Sequence, residues 1–126
     1  MSLIVLALMT AEVRAQFGDY PDGRDDPHFI SRTLILDKDD RVFLNADHLS
    51  NEGHLTVELL DEQFRPLKGF SGQDSAVLKE SGLRQPVLWH DRGQLKGFEK
   101  PVRIRVNWAG QDSRNVRVHA VYVSPQ

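Results

Sequence analysis

Apolar and polar residues alternate along most of this chain, and no stretch carries a sustained stripe at helical spacing. Side chains of an extended strand point to opposite faces in turn, so a period of two predicts half-buried strands. The apolar run Ser2-Leu3-Ile4-Val5-Leu6-Ala7-Leu8-Met9 reads as a first, buried strand. Residues 17–27 read as a loop, because Pro21-Asp22-Gly23 suits a turn: Pro presets φ and Gly accepts positive φ. Strands are expected over residues 29–36 and 41–46, joined as a hairpin through Asp37-Lys38-Asp39-Asp40, with Val42, Leu44 and Ala46 on one face. In residues 54–60, Leu55, Val57 and Leu59 point one way while Thr56 and Glu58 point the other. Pro66 makes residues 64–70 an edge strand or an extended connection, since Pro cannot donate to a central ladder. A single helical turn, capped by Asp74, is a candidate over residues 74–79.

Three strands complete the pattern. Residues 83–90 alternate Leu83, Gln85, Val87 and Trp89 against Arg84, Pro86, Leu88 and His90. Residues 101–108 place Val102, Ile104, Val106 and Trp108 inward, with Arg103, Arg105 and Asn107 outward. Residues 114–123 place Val116, Val118, Ala120 and Tyr122 inward. Many short strands with turn chemistry between them imply an all-β fold, a jelly-roll-like β-sandwich of two stacked antiparallel sheets.

Length and charge narrow what such a sandwich could do. The 126 residues suit a single domain spanning 1–126. A net charge of −2 creates no overall field that would gather a polyanion, so nucleic acid is not an expected partner. Cysteine is absent, which removes disulfides, thiolate nucleophiles and cysteine-rich zinc sites together. The N-terminal apolar run is far shorter than the about 20 residues that span a bilayer. No Lys or Arg precedes it, and Glu12 and Arg14 crowd any cleavage site, which favours a strand over a secretory leader. A chain opening directly on a strand is expected to be a C-terminal piece of a longer protein. In isolation, residues 4–8 could pair between copies as an exposed edge, giving a homodimer.

The second half carries a succession of short motifs. These are Leu44-Asn45-Ala46-Asp47, then Gly53-His54-Leu55-Thr56-Val57-Glu58-Leu59-Leu60-Asp61, then Pro66-Leu67-Lys68-Gly69-Phe70-Ser71. Pro86-Val87-Leu88-Trp89, residues 95–98 and Pro101-Val102-Arg103-Ile104-Arg105 follow. In this order, over residues 32–123, they resemble the C-terminal β-sandwich of bacterial proteins related to glycoside hydrolase family 32. There the sandwich follows a five-bladed propeller that carries the catalytic carboxylates. The resemblance implies a non-catalytic accessory domain that stabilises or docks on a catalytic domain outside this chain, in an extracellular or periplasmic setting. It does not extend to residues 5–27.

Candidate chemistry is sparse. Arg24-Asp25-Asp26-Pro27 departs by one extra Asp from an Arg-Asp-Pro element of family 32 enzymes. Asp19, Asp22, Asp25 and Asp26 share one loop and could collect oxygen ligands for calcium, but a solvated acidic loop explains them as well. His28, His48, His54, His90 and His119 are too scattered to suggest a metal centre. Ser71-Gly72-Gln73-Asp74-Ser75 lacks the strand-to-helix elbow that a nucleophilic serine uses. No cofactor and no catalytic residue is expected. The alternative function is carbohydrate binding, in which pyranose C–H faces stack on Trp89 or Trp108. Arg103, Arg105, Arg117 and His119 would then form a basic stripe across neighbouring strands for a sulfated or uronic polysaccharide.

Overall fold

The computed structural model describes residues 9–10, 27–90, 95, 97–125. The expectations placed on residues 2–8 and 17–26, namely the leader question, the dimer edge and the acidic loop, lie outside them. Eight strands form two antiparallel sheets: β1 (Met9–Thr10), β2 (His28–Ile30), β3 (Arg41–Asp47), β4 (His54–Leu60), β5 (Ala76–Leu78), β6 (Gly82–Pro86), β7 (Arg103–Ala109) and β8 (Arg117–Ser124). One sheet runs β1-β8-β3-β6 and the other β2-β7-β4-β5. This order is the jelly roll, in which two four-stranded sheets are filled alternately as the chain passes between them.

The interior is built as the alternation requires. Val42, Leu44 and Ala46 from β3 meet Leu55, Val57 and Leu59 from β4, with Val102, Ile104, Val106 and Trp108 alongside. The two tryptophans stitch the layers together. Trp108 Nε1, on β7, donates to the Val116 carbonyl at 2.9 Å, and Trp89 Nε1, beyond β6, donates to the Val57 carbonyl of β4 at 3.1 Å. Indole carries an obligatory donor, so a buried tryptophan is stable only where it finds such an acceptor.

Several expectations are corrected. Residues 29–36 and 41–46 form no hairpin: β2 pairs with β7, whereas β3 pairs with β8 and β6 in the other sheet. Leu34 and Leu36 are both buried, Leu34 bridges to Val102, and Asp40 Oδ2 accepts from Asp37 N at 2.9 Å in a turn that carries the chain between layers. The helical turn expected at residues 74–79 is instead a 3-10 turn at Gly72–Asp74 followed by strand β5, and Asp74 caps nothing. The segment at 64–70 is indeed a connection that skirts the sheet, with hydrogen bonds from Leu67 N to Leu59 O and from Leu59 N to Phe70 O.

Two β-bulges shift the simple alternation. The β3–β8 register slips between Asn45 and Ala46, so Val116 and Val118 face inward as expected, Val121 and Val123 then join the core cluster, Ala120 is buried outside that cluster and Tyr122 is only half-buried. A second slip, where Leu44 pairs with Gln85 but Ala46 with Gly82, leaves Leu83 79% exposed. A bulge inserts a residue on one strand only, so every side chain beyond it changes face.

Candidate functional site

The outer face of the second sheet carries side chains that sequence alternation assigns to solvent, yet several are buried. Arg105 is 3% exposed, Glu58 2%, Asn107 3% and His28 fully buried. Register explains their meeting: Arg105 pairs with Glu58 on one side and Ile30 on the other, and Asn107 pairs with Thr56 and His28. Arg105 Nε donates to Asn107 Oδ1 at 2.7 Å and lies 3.7 Å from Glu58 Oε2. Asn107 Nδ2 donates to Glu58 Oε2 at 2.9 Å and to Thr56 Oγ1 at 3.0 Å, while Gly72 N donates to Glu58 Oε1 at 3.2 Å.

Arg105 Nη2 lies 3.0 Å from His28 Nδ1. A guanidinium can only donate, so Nδ1 accepts and the imidazole proton sits on Nε2. These side chains hold one another. A buried ion pair of this kind fixes register and is costly to break by halves. Its bonds join β7 to β2 and to β4.

The structure disperses the sequence-derived site residues. Trp89 is 2% exposed and Trp108 1%, so both rings lie in the core, where their inward positions in the alternation put them, and neither presents a face to a sugar. The bulk of an indole in an inward strand position is best placed in the core, which outweighs the proximity of Trp108 to the Gly110 turn. Arg105 belongs to the buried network and not to a solvated stripe. Arg103 is half-buried on β7, whereas the exposed Arg117 and His119 lie on β8 in the other sheet, so the four form no continuous stripe. Among the described residues, no group of three or more His, Asp or Glu side chains could hold a metal ion.

Two exposed features were not anticipated. The first is a shallow cavity of about 380 Å³ at the flank where β5 and β6 end their sheets, lined by Gln73, Asp74, Ser75, Val77, Pro86, Leu88 and His90. Val77 is 52% exposed and Leu88 41%. Although Ser, His and Asp share this cavity, they make no relay. Ser75 Oγ donates to Gly72 O at 2.7 Å, and His90 Nε2 donates to Gly69 O at 2.9 Å while also being the ring atom 3.9 Å from Asp74. A triad needs the acid on one ring nitrogen and the serine on the other.

The second feature is the hairpin tip after β4. Phe64 N donates to Asp61 O at 3.1 Å and Asp61 N to Arg65 O at 2.8 Å, enclosing a three-residue loop of Glu62, Gln63 and Phe64. Such loops end on a left-handed residue, ordinarily Gly. Here that residue is Phe64, at φ +67° and 54% exposed. The left-handed conformation costs an L-residue about 1–2 kcal/mol. Asp61 supports the loop by accepting from Gln63 N and Arg65 N, both at 2.9 Å, and from Arg65 Nε at 3.0 Å. These bonds, first of all that from the Arg65 backbone, hold its carboxyl below the ordinary 3.8.

Arg103 lies over the Phe64 ring, 4.1 Å from its centroid. Its Nε donates to Glu62 O and its Nη1 to Ser31 O, both at 3.2 Å. The sequence signal for this site was available: a Phe three residues after Asp61 in a polar turn is an aromatic where Gly is the easy choice. With the geometry in hand, comparison with known proteins gives no match to a family model, a curated protein or a solved structure.

Proposed function

We propose that this chain is a non-catalytic accessory β-sandwich that acts by contact, docking on or stabilising a catalytic domain outside the chain. The glycoside hydrolase setting implied by the sequence resemblance is part of this proposal. The observation that carries it is the β5–β6 flank, a shallow and mainly polar cavity in which the exposed side chains of Val77, Pro86 and Leu88 stand among Gln73, Asp74, Ser75 and His90. Exposed apolar side chains mixed with polar ones are the composition of a non-obligate protein contact surface.

Pro86 also shapes the contact. Val87 N donates to Val42 O, so in the antiparallel alternation Pro86 turns its backbone away from β3, toward the free edge. Without an N–H, that edge resists indiscriminate strand addition and favours recognition through side chains. The ionisable groups of the buried network support the same reading, because they are engaged in aligning strands.

The test is association in trans with the domain encoded beside this one in its reading frame. Wild-type sandwich is expected to form a stoichiometric complex with that domain, and the double variant Val77→Asp, Leu88→Asp is expected to lose it while keeping its circular dichroism spectrum. A reading frame that encodes nothing beyond this sandwich, or a complex indifferent to both substitutions, overturns the proposal.

A further inference from the structure

Among the described residues, three adopt positive φ without being glycine: His48, Phe64 and His90. Histidine is among the types that enter this region more readily, whereas for a bulky residue it is a true outlier. Strain of this kind persists where something other than folding selects the side chain, and it concentrates at ligand contacts. Phe64 thus presents a ring at a hairpin tip where glycine would serve the backbone better.

The adjacent cation gives an independent sign. Surface arginines are ordinarily mobile, but Arg103 is held on three sides, by the Glu62 carbonyl, the Ser31 carbonyl and the Phe64 ring. It forms no ion pair among the described residues. The nearby acid Asp61 is already committed to Arg65. The two carbonyls take Nε and Nη1, which leaves Nη2 as the guanidinium nitrogen without an acceptor among the described residues. A fixed guanidinium with its charge uncompensated is a preorganised anion receptor, because the entropy of immobilising it has been spent on folding.

We infer that Phe64 and Arg103 form a binding site for a uronate-bearing saccharide, the sugar packing against the part of the Phe64 ring that Arg103 leaves exposed and its carboxylate accepting from Arg103 Nη2. The footprint decides between ligand classes. A pyranuronate joins an apolar C–H surface and a carboxylate within one ring, which matches the exposed part of one aromatic and the guanidinium packed over it. A peptide divides those features among residues and needs an interface of about 800 Å² per partner to be held specifically. The site uses none of the β5–β6 flank residues, so it neither rests on the docking proposal nor falls with it.

The test is titration of the full chain with tri-galacturonate and, separately, with its methyl ester, followed by amide NMR shifts and calorimetry. Tri-galacturonate is expected to shift the amides of Gln63, Phe64 and Arg103. The ester, which keeps the rings and loses the anions, is expected to bind at least about tenfold more weakly. Phe64→Gly should lose about tenfold in affinity with its melting temperature kept, because glycine accepts this backbone freely. Arg103→Lys should also weaken binding, since an ammonium keeps the charge but loses the planar fork. Val77→Asp, Leu88→Asp should bind the trisaccharide as wild type does. No amide shifts in the wild type, equal affinity for the ester, or undiminished binding by Phe64→Gly would each overturn the site. The wild-type and ester titrations decide the matter even if a variant fails to fold.

Discussion

Replacing Arg105 by Met removes the cation from the buried network while keeping most of its volume. Arg105 and Glu58 are each 3% exposed at the side chain, so the change takes the counter-charge from a carboxylate that water cannot reach and leaves it the bonds from Asn107 and Gly72. It also deletes the 2.7 Å bond to Asn107 Oδ1 and the 3.0 Å bond to His28 Nδ1. Breaking a buried pair from one side costs about 3–5 kcal/mol. Against a total stability of about 5–15 kcal/mol, that is a large share. For a chain of this length the entropy of unfolding converts it to a fall of about 10–20 °C in melting temperature. The double variant Arg105→Met, Glu58→Leu removes the stranded charge and should regain about 1–3 kcal/mol over Arg105→Met alone. Urea denaturation followed by tryptophan fluorescence is a suitable assay, because Trp89 and Trp108 are both buried and report loss of the core. An Arg105→Met protein as stable as wild type would refute the structural role given to this network. So would a double variant whose loss equals the sum of the single ones. A gain in stability would mark the network as a site where function had been kept at the expense of folding.

Two further outcomes follow from backbone and charge. Gly110 sits at φ +95°, where a Cβ would overlap the Glu52 carbonyl oxygen and approach its carbon to 2.7 Å, so Gly110→Ala is expected to destabilise by about 2–5 kcal/mol in a thermal melt. A melting temperature unchanged by that substitution would show that the β4 entry and the β7 exit do not approach so closely. Asp61, whose folded-state carboxyl is held below 3.8, supports the hairpin tip fully above that value and loses its contribution as pH falls through the lower, folded value. Carboxyl-carbon NMR of the folded chain checks this directly, and titration at or above 3.8 would contradict the bonds drawn to Gln63 and Arg65.

Much of the architecture was written into the period of the side chains. Val42, Leu44, Ala46, Leu55, Val57, Leu59, Ile104 and Val106 all lie in the core that the alternation assigned to them. Such positions are legible because burial follows locally from strand geometry. Pairing was not. The supposed hairpin across residues 37–40 failed because both halves were good strands and only long-range partners, Val102 and the β8 ladder, decided which sheet each would join.

The candidate site divides along the same line. Sequence alone determined an all-β sandwich, the inward faces of β3, β4 and β7 and the absence of cysteine chemistry, because composition and a period of two are properties of a residue and its immediate neighbours. Tertiary structure alone decided which polar residues are buried, that Arg103 and Arg105 sit on a different sheet from Arg117 and His119, and that Phe64 meets a cation from a strand remote in sequence. The physical reason is that charge, register and solvent access depend on what lies across the sheet, and two bulges were enough to exchange inside for outside without leaving a mark in the local pattern.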